Sequence, residues 1–500
     1  MSPQSCVIAI DAGTTGVTSI LFDRELVPLA RAYREFEQRF PAPGQVEHDA
    51  RAILDAVDTT LGEVCAAAAR EGDDVTAIGV TNQRETVFAL DLERGEPLGS
   101  GIVWQDRRTA PRCAELAAAG HGQLVRERTG LVLDPYFSAT KIEWLLQHRA
   151  DVRQRADAGS VRFVTVDALI VHHLTGGAVC ATDPTNASRT MLYDLDRGAW
   201  SQELCGLFGV DPGWLPEVRS SVAHFGDVER PKLDVLRGVP VHGIAGDQQA
   251  ALFGQGCWDE GSSKNTYGTG CFLLLNTGTR RRDSTAGLLT TIAVGPDGGR
   301  AYALEAAVFA AGTIVQWLRD QAGFVSQAAE SEELARSVED AGGVTFVPAF
   351  AGLAAPYWDP DARAAILGIT RGTSRAHIVR AGLEAIAYRC AEVIDLLRSE
   401  TGLALEELYV DGGASRNDFL MQAQADLAGV EVLRPAEIES TARGAAALAA
   451  LGARIAGGPD TLRPAADGCR RFEPALDHAT RVERLAGWRR SVARVLSSES

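Results

Sequence analysis

A chain of 500 residues, 46% hydrophobic and 23% charged, lies in the globular range and suits two domains of about 200 to 250 residues each. A formal net charge of -17 and a pI near 5.1 would repel a phosphate backbone, and no basic stripe offsets that, so nucleic acid is not expected as a partner. Nine cysteines stand singly from Cys6 to Cys469 with no CxxC pair and no zinc-like Cys/His spacing, which points to free thiols in a reducing compartment.

At the start, a short apolar run without a basic flank leads straight into Asp11, which argues against a secretory signal. Val7 to Ile10 reads as a buried strand, Asp11-Ala12-Gly13-Thr14-Thr15-Gly16 as a turn, and Val17 to Phe22 as a second strand. A Gly/Thr turn of this kind offers backbone N–H groups and hydroxyls to an anion. Asp11 at its edge supplies the single carboxylate that a phosphate-bound magnesium ion asks for, or else it only caps the turn.

Asp49 to Ala69 has the pattern of an amphipathic helix, and Ala77 to Thr81 that of a strand running into Asn82-Gln83-Arg84-Glu85-Thr86. Arg84 and Glu85 pair donors with acceptors for hydroxyl groups, and Trp104 shortly after could pack on carbon; the alternative is a surface salt-bridge patch. Val161 to Val166 reads as a strand. So does Val241 to Ala245, which ends in Gly246-Asp247-Gln248, where Asp247 is equally placed to cap a helix or to do chemistry.

At mid-chain the first pattern returns: Lys264 to Tyr267, then Gly268-Thr269-Gly270, then Cys271 to Leu275. Two such hairpins suggest an internal duplication with its boundary near residues 253–261, and hence domains 1–254 and 255–500. Val344 to Pro348 and Leu408 to Asp411 follow as strands, His377 to Arg398 and Asn417 to Ala428 as helices, and Gly412-Gly413 lies between a strand and a helix start, as suits a nucleotide. Only three lysines occur and none follows a glycine, which excludes a Walker-type phosphate loop. The alanine-rich stretch 445–453 is far too short to span a membrane, and a soluble, cytoplasmic protein is expected.

Together these segments resemble the FGGY carbohydrate kinase family from about Val7 to Leu451. The most specific stretches are Arg34 to Gln38 with Val46 to Asp49, Ile78 to Thr86, Asp134 to Ser138, Asp183 to Leu192, Gly243 to Gln255, Asn265 to Phe272 and Pro348 to Pro360. The resemblance implies an α/β, two-domain ribonuclease H-like (actin-like) fold with an interdomain catalytic cleft. It also implies an ATP- and magnesium-dependent phosphorylation of glycerol to sn-glycerol 3-phosphate, and dimers or tetramers. Carried over residue by residue, it assigns the polyol hydroxyls to Arg84, Glu85, Tyr136, Asp247 and Gln248, with Trp104 and Phe272 on the carbon face and Asp247 as general base. It assigns the nucleotide to Thr14, Thr15, Thr269, Gly312, Gln316, Gly413 and Asn417, and the magnesium ion to Asp11.

The chain departs from the family pattern at Ala12, Gly16 and Thr18, the last standing where an arginine is common. A glycine-lysine loop that some members use to bind fructose 1,6-bisphosphate is missing between His224 and Val239, and Pro474 to Thr480 differs from a surface read by a sugar-transport phosphocarrier. Neither form of regulation is expected. A family member acting on a longer sugar or polyol, and an actin-like nucleotide switch without a small-molecule acceptor, are the alternative readings.

Overall fold

The computed structural model describes residues 5–497 apart from 351, 358, 360 and 465–467, so part of the 348–360 stretch lies outside the described residues. The chain packs into two compact units, neither of them contiguous: the first takes the chain up to Trp258 together with Thr290–Tyr302 and Ser440–Arg463, and the second takes the remainder. Packing therefore divides the chain differently from a single cut between 254 and 255.

The first unit is built on a five-stranded sheet in the order Val241–Gly246, Asp74–Asn82, Ser5–Ala12, Gly16–Phe22, Pro28–Glu35. The first three strands run parallel and the last two return as an antiparallel meander. Alternation along Ser5–Ala12 divides its buried side chains between two cores, because successive residues of a strand face opposite ways. Ile8 and Ile10 join the helices Ala50–Glu71 and Val166–Leu174, while Val7 and Ala9 join the alanine-rich helix Ser440–Gly452.

That last helix reaches its place through small residues. A Cβ on Gly444 would fall 1.9 Å from the carbonyl oxygen of Ala250, and one on Gly254 2.1 Å from that of Ser440. Only glycine lets the helices Asp247–Gly254 and Ser440–Gly452 approach so closely.

The second unit repeats the opening pattern of the first. Ser263–Tyr267 pairs antiparallel with Cys271–Gly278 on one side and parallel with Glu407–Asp411 on the other, as Ser5–Ala12 pairs with Gly16–Phe22 and Asp74–Asn82. The sheet continues through Glu431–Pro435 and Cys469–Phe472. Its core is closed by the helix Arg375–Thr401, whose Ile386 and Ile394 pack with Leu273, Leu408 and Val410.

Helix starts follow their caps: Asp49 accepts from the N–H of Arg51, and Asn417 from that of Leu420, as short polar side chains do at N-termini. Two sequence expectations need adjustment. Val166 opens a helix rather than closing a strand, and the strand expected over Val344 to Pro348 is confined to Thr345–Val347. None of the nine cysteines is in a disulfide.

Candidate functional site

In the first unit the strand Ser5–Ala12 delivers Asp11 opposite Thr18 in one neighbour and Thr81 in the other. The turn that follows is closed by the N–H of Gly13 donating to Gly16 O at 3.0 Å. Among the described residues the N–H groups of Thr14 and Thr15 donate to no protein acceptor, which leaves the donors an anion would need. Glycine at 16 is required by its neighbours, since a Cβ there would meet the Tyr33 ring and Arg34 O at 2.6 Å.

The polar cluster 81–86 is buried throughout, which removes the surface-patch alternative. The strand ends at Asn82, so Arg84 and Glu85 stand in the turn beyond it. Glu85 adopts a left-handed backbone with φ 64°, uncommon for a side chain with Cβ and characteristic of sites held by their surroundings.

Arg84 is the hub. Its Nε lies 3.2 Å from Asp247 Oδ1, its Nη1 donates to Gln249 Oε1 at 3.1 Å, and its Nη2 reaches the Tyr136 hydroxyl at 3.5 Å. Asp247 is the first residue of its helix and Gly246 holds the cap position, so Asp247 is not the N-cap. Its Oδ1 accepts from the N–H of Gln248 at 2.7 Å and its Oδ2 from Gln248 Nε2 at 3.2 Å. The Asp247 side chain is 31% exposed while that of Arg84 is 2% exposed, so the carboxylate is the end of the pair that solvent or a ligand can reach. Trp104 stands edge-on to Tyr136 with ring centroids 5.6 Å apart. The structure thus gathers Arg84, Glu85, Trp104, Tyr136, Asp247 and Gln248 within one unit.

Phe272 belongs to the second unit, half-buried on the strand Cys271–Gly278 across from Thr266. There the turn Gly268–Gly270 is tied to the start of the helix Gly312–Asp320: Gly312 N donates to Gly268 O at 3.0 Å, and Ala311 N and Thr313 N both donate to Thr269 O. Gly412 lies on Tyr267 so closely that a Cβ would come within 2.6 Å of its carbonyl. Thr269, Gly312 and Gly413 therefore cluster at the carboxyl ends of two parallel strands, where nucleotides bind in open α/β sheets. Gln316 is exposed one turn further along its helix. Asn417 is already occupied as a cap, and its amide donates to Ser331 Oγ at 3.4 Å.

Sequence reasoning missed the residues behind these. Arg189, fully buried, donates from Nε to Glu85 Oε1 at 2.7 Å and lays its guanidinium over Tyr136 and Phe137 at 5.6 and 5.3 Å. Gln249 joins Arg84 to Thr291, donating to its Oγ1 at 3.1 Å. Buried Lys141 donates from Nζ to Tyr136 O at 2.7 Å, and burial pushes its pKa down to about 7. For Arg189 and Lys141 the available signal was a charged residue among apolar and neutral polar neighbours; Gln249 gave none.

Comparison with known proteins gives the family. The N-terminal domain of the FGGY family of carbohydrate kinases matches residues 6–254 and its C-terminal domain matches residues 263–453. A glycerol kinase from Shewanella amazonensis is 51% identical over 496 residues, covering 98% of this chain and 99% of that protein. One from Carboxydothermus hydrogenoformans is 48% identical, covering 98% and 97%. Among solved structures, a Plasmodium falciparum glycerol kinase with ADP superposes with a TM-score of 0.93 at 35% identity, covering 99% of each chain. A xylulose kinase from Rhodospirillum rubrum gives 0.85 at 25% identity, covering 98% of each. The chain belongs to the FGGY family of carbohydrate kinases.

Proposed function

We propose that this chain transfers the γ-phosphoryl group of ATP to a terminal hydroxyl of glycerol. The observation that carries the reading is the half-open ion pair of Arg84 and Asp247, walled by Tyr136, Trp104 and Gln248. The glycerol kinases at about half identity over nearly the whole chain support the same acceptor.

Phosphoryl transfer asks the protein mainly to align the nucleophile and to stabilise spreading charge. Arg84 and Glu85 orient the hydroxyls, Tyr136 and Gln248 complete the hydrogen bonds, and Trp104 and Phe272 cover the carbons. Arg84 Nε stands 3.2 Å from Asp247 Oδ1 and fixes the carboxylate where it can accept the proton of the attacking hydroxyl. Thr14 and Thr15 on one loop, and Thr269, Gly312, Gln316, Gly413 and Asn417 in the second unit, form the nucleotide set.

Asp11 fits a magnesium ion. Among the described residues no group of three or more His, Cys, Asp or Glu could hold a metal by itself. A single carboxylate beside a phosphate cradle is what magnesium, which keeps phosphate and water ligands, takes from protein. Bound there, the ion would neutralise charge on the phosphate oxygens.

The free thiols suit a reducing cytoplasm, and among the described residues no helix is long and apolar enough to cross a membrane. A homodimer or homotetramer completes the reading. The deciding experiment is the purified chain with magnesium-ATP and a panel of glycerol, erythritol, xylulose and gluconate, with ADP release and phosphorylated product both measured. Glycerol 3-phosphate as the favoured product supports the proposal. Faster turnover of a longer acceptor replaces it with another substrate of the family, and ATP hydrolysis indifferent to every polyol replaces it with a nucleotide switch.

A further inference from the structure

Two of the sequence stretches most specific to the family, Arg34 to Gln38 and Val46 to Asp49, contribute no residue to either substrate set above. The structure brings residues of both to the back of the first Gly/Thr turn. Gln38 Nε2 donates to Thr14 O at 3.2 Å, and Gln83 Nε2 donates to Gly13 O at 2.9 Å. Between the two amides stands His48, fully buried, with Nε2 3.1 Å from Gln38 Nε2 and Nδ1 3.2 Å from Gln83 Nε2. The Gln83 amide is itself oriented by Thr86, whose hydroxyl donates to its Oε1 at 2.8 Å. Phe36 supports the assembly from both sides: its ring meets the His48 imidazole edge-on at 5.1 Å, and its N–H donates to Thr15 O at 3.1 Å.

The consequence follows from the peptide group. A trans peptide is planar, with its C=O and N–H pointing in opposite directions. The carbonyl of Gly13 and the N–H of Thr14 share one such plane, and the carbonyl of Thr14 and the N–H of Thr15 share the next. Pinning both carbonyls against the protein turns both N–H groups the other way, and these are the two donors that have no protein acceptor among the described residues.

We propose that Gln38 and Gln83, spaced by His48, are positioning residues that set the Thr14 and Thr15 N–H groups for the phosphates of the nucleotide. None of the three needs to touch the nucleotide. The proposal rests on the kinase reading given above and adds the device that holds its first phosphate loop in shape. A turn preset in this way spends no binding energy on ordering itself when the anion arrives.

The test uses the full-length protein and a half-buried residue, so that folding survives. Gln38→Met keeps the length of the side chain and removes its donor. In steady-state assays with magnesium-ATP and glycerol, the variant is expected to raise KM for magnesium-ATP by roughly five- to ten-fold, the effect of one net hydrogen bond, with KM for glycerol unchanged. His48→Asn, which shortens the spacer, should shift the same constant in the same direction. Calorimetric titration with magnesium-ADP reads the weakening without turnover. Unchanged magnesium-ATP and magnesium-ADP constants in a normally folded Gln38→Met protein overturn the proposal. So does an equal rise in both KM values with a lowered Tm, which marks a merely structural role. Absence of polyol-dependent turnover in the unaltered protein is a different failure, that of the kinase reading itself.

Discussion

Trp104 Nε1 donates a hydrogen bond to Thr14 Oγ1 at 3.0 Å, joining a residue of the polyol set to a residue of the first phosphate loop. The Trp104 N–H is in turn fixed by Thr86, whose hydroxyl also orients Gln83. One hydrogen bond thus links the two sets directly. A double-mutant cycle of Trp104→Phe and Thr14→Val, read on magnesium-ATP binding with and without glycerol, should return a coupling of about 0.5–1.5 kcal/mol, the range of a single hydrogen bond. Strict additivity of the two substitutions would show that the contact carries no information between the sites.

Asp247→Asn separates chemistry from binding. The amide keeps a hydrogen-bonding oxygen near Arg84 but is no proton acceptor, so kcat should fall by roughly 10²–10⁴ while both KM values stay within about three-fold. Turnover near that of the unaltered enzyme would remove Asp247 from the role of base.

Arg189 and Glu85 form an ion pair with both side chains almost wholly buried, at 0% and 2% exposure. Removing Arg189 takes away the nearer of two cations at Glu85 and leaves Arg84 Nε at 3.8 Å, so the cost should approach but not exceed the roughly 3–5 kcal/mol of a fully broken buried pair. Arg189→Met should lower the thermal midpoint markedly, and Arg189→Met combined with Glu85→Gln should recover part of the loss while remaining inactive on glycerol. If the double variant is less stable than the single one, the pair does not act as a unit.

Much of this arrangement was legible in the sequence because it is local. Short apolar runs marked the strands at Val7 to Ile10 and Ala77 to Thr81, the glycines and threonines marked both hairpin turns, and Asp49 and Asn417 marked helix starts. What stayed hidden depends on distant segments meeting. Arg189 gives no local sign that it braces Glu85, a hundred positions earlier, and neither Gln38 nor Gln83 announces that His48 lies between them. The helix Ser440–Gly452 reads only as an alanine-rich stretch, and nothing local says that it packs with the first unit. That information sits in pairs of small residues, whose meaning is the space they leave.

Gly444 tests that last point. A methyl group directed at Ala250 O from 1.9 Å cannot be relieved by rotating a flexible side chain, because the obstacle is backbone. Gly444→Ala should force the helices apart and cost about 1–3 kcal/mol or more, despite the better helix propensity of alanine. Because Asp247 opens the helix that is pushed, kcat should fall with stability. A variant as stable and active as the parent would show that the approach is looser than described.

Stability should also carry a pH signature from Asp167, a buried carboxyl outside the substrate set. Burial first, and the nearby Asp183 second, raise its pKa to about 7, although the hydroxyls of Thr165 and Thr182 each donate to it at 2.5 Å. In the unfolded chain the group titrates near the ordinary aspartate value of about 3.9. Between those two values the folded protein binds more protons than the unfolded one. The contribution of this group is thus fully present below about pH 4 and is lost as pH rises through about 7. Asp167→Asn stays neutral and escapes that loss, so its thermal midpoint relative to the parent should climb from pH 5 to pH 8. A difference in midpoint that is constant across that range would mean that Asp167 is already ionised in the folded protein at pH 5, held by its two threonine donors.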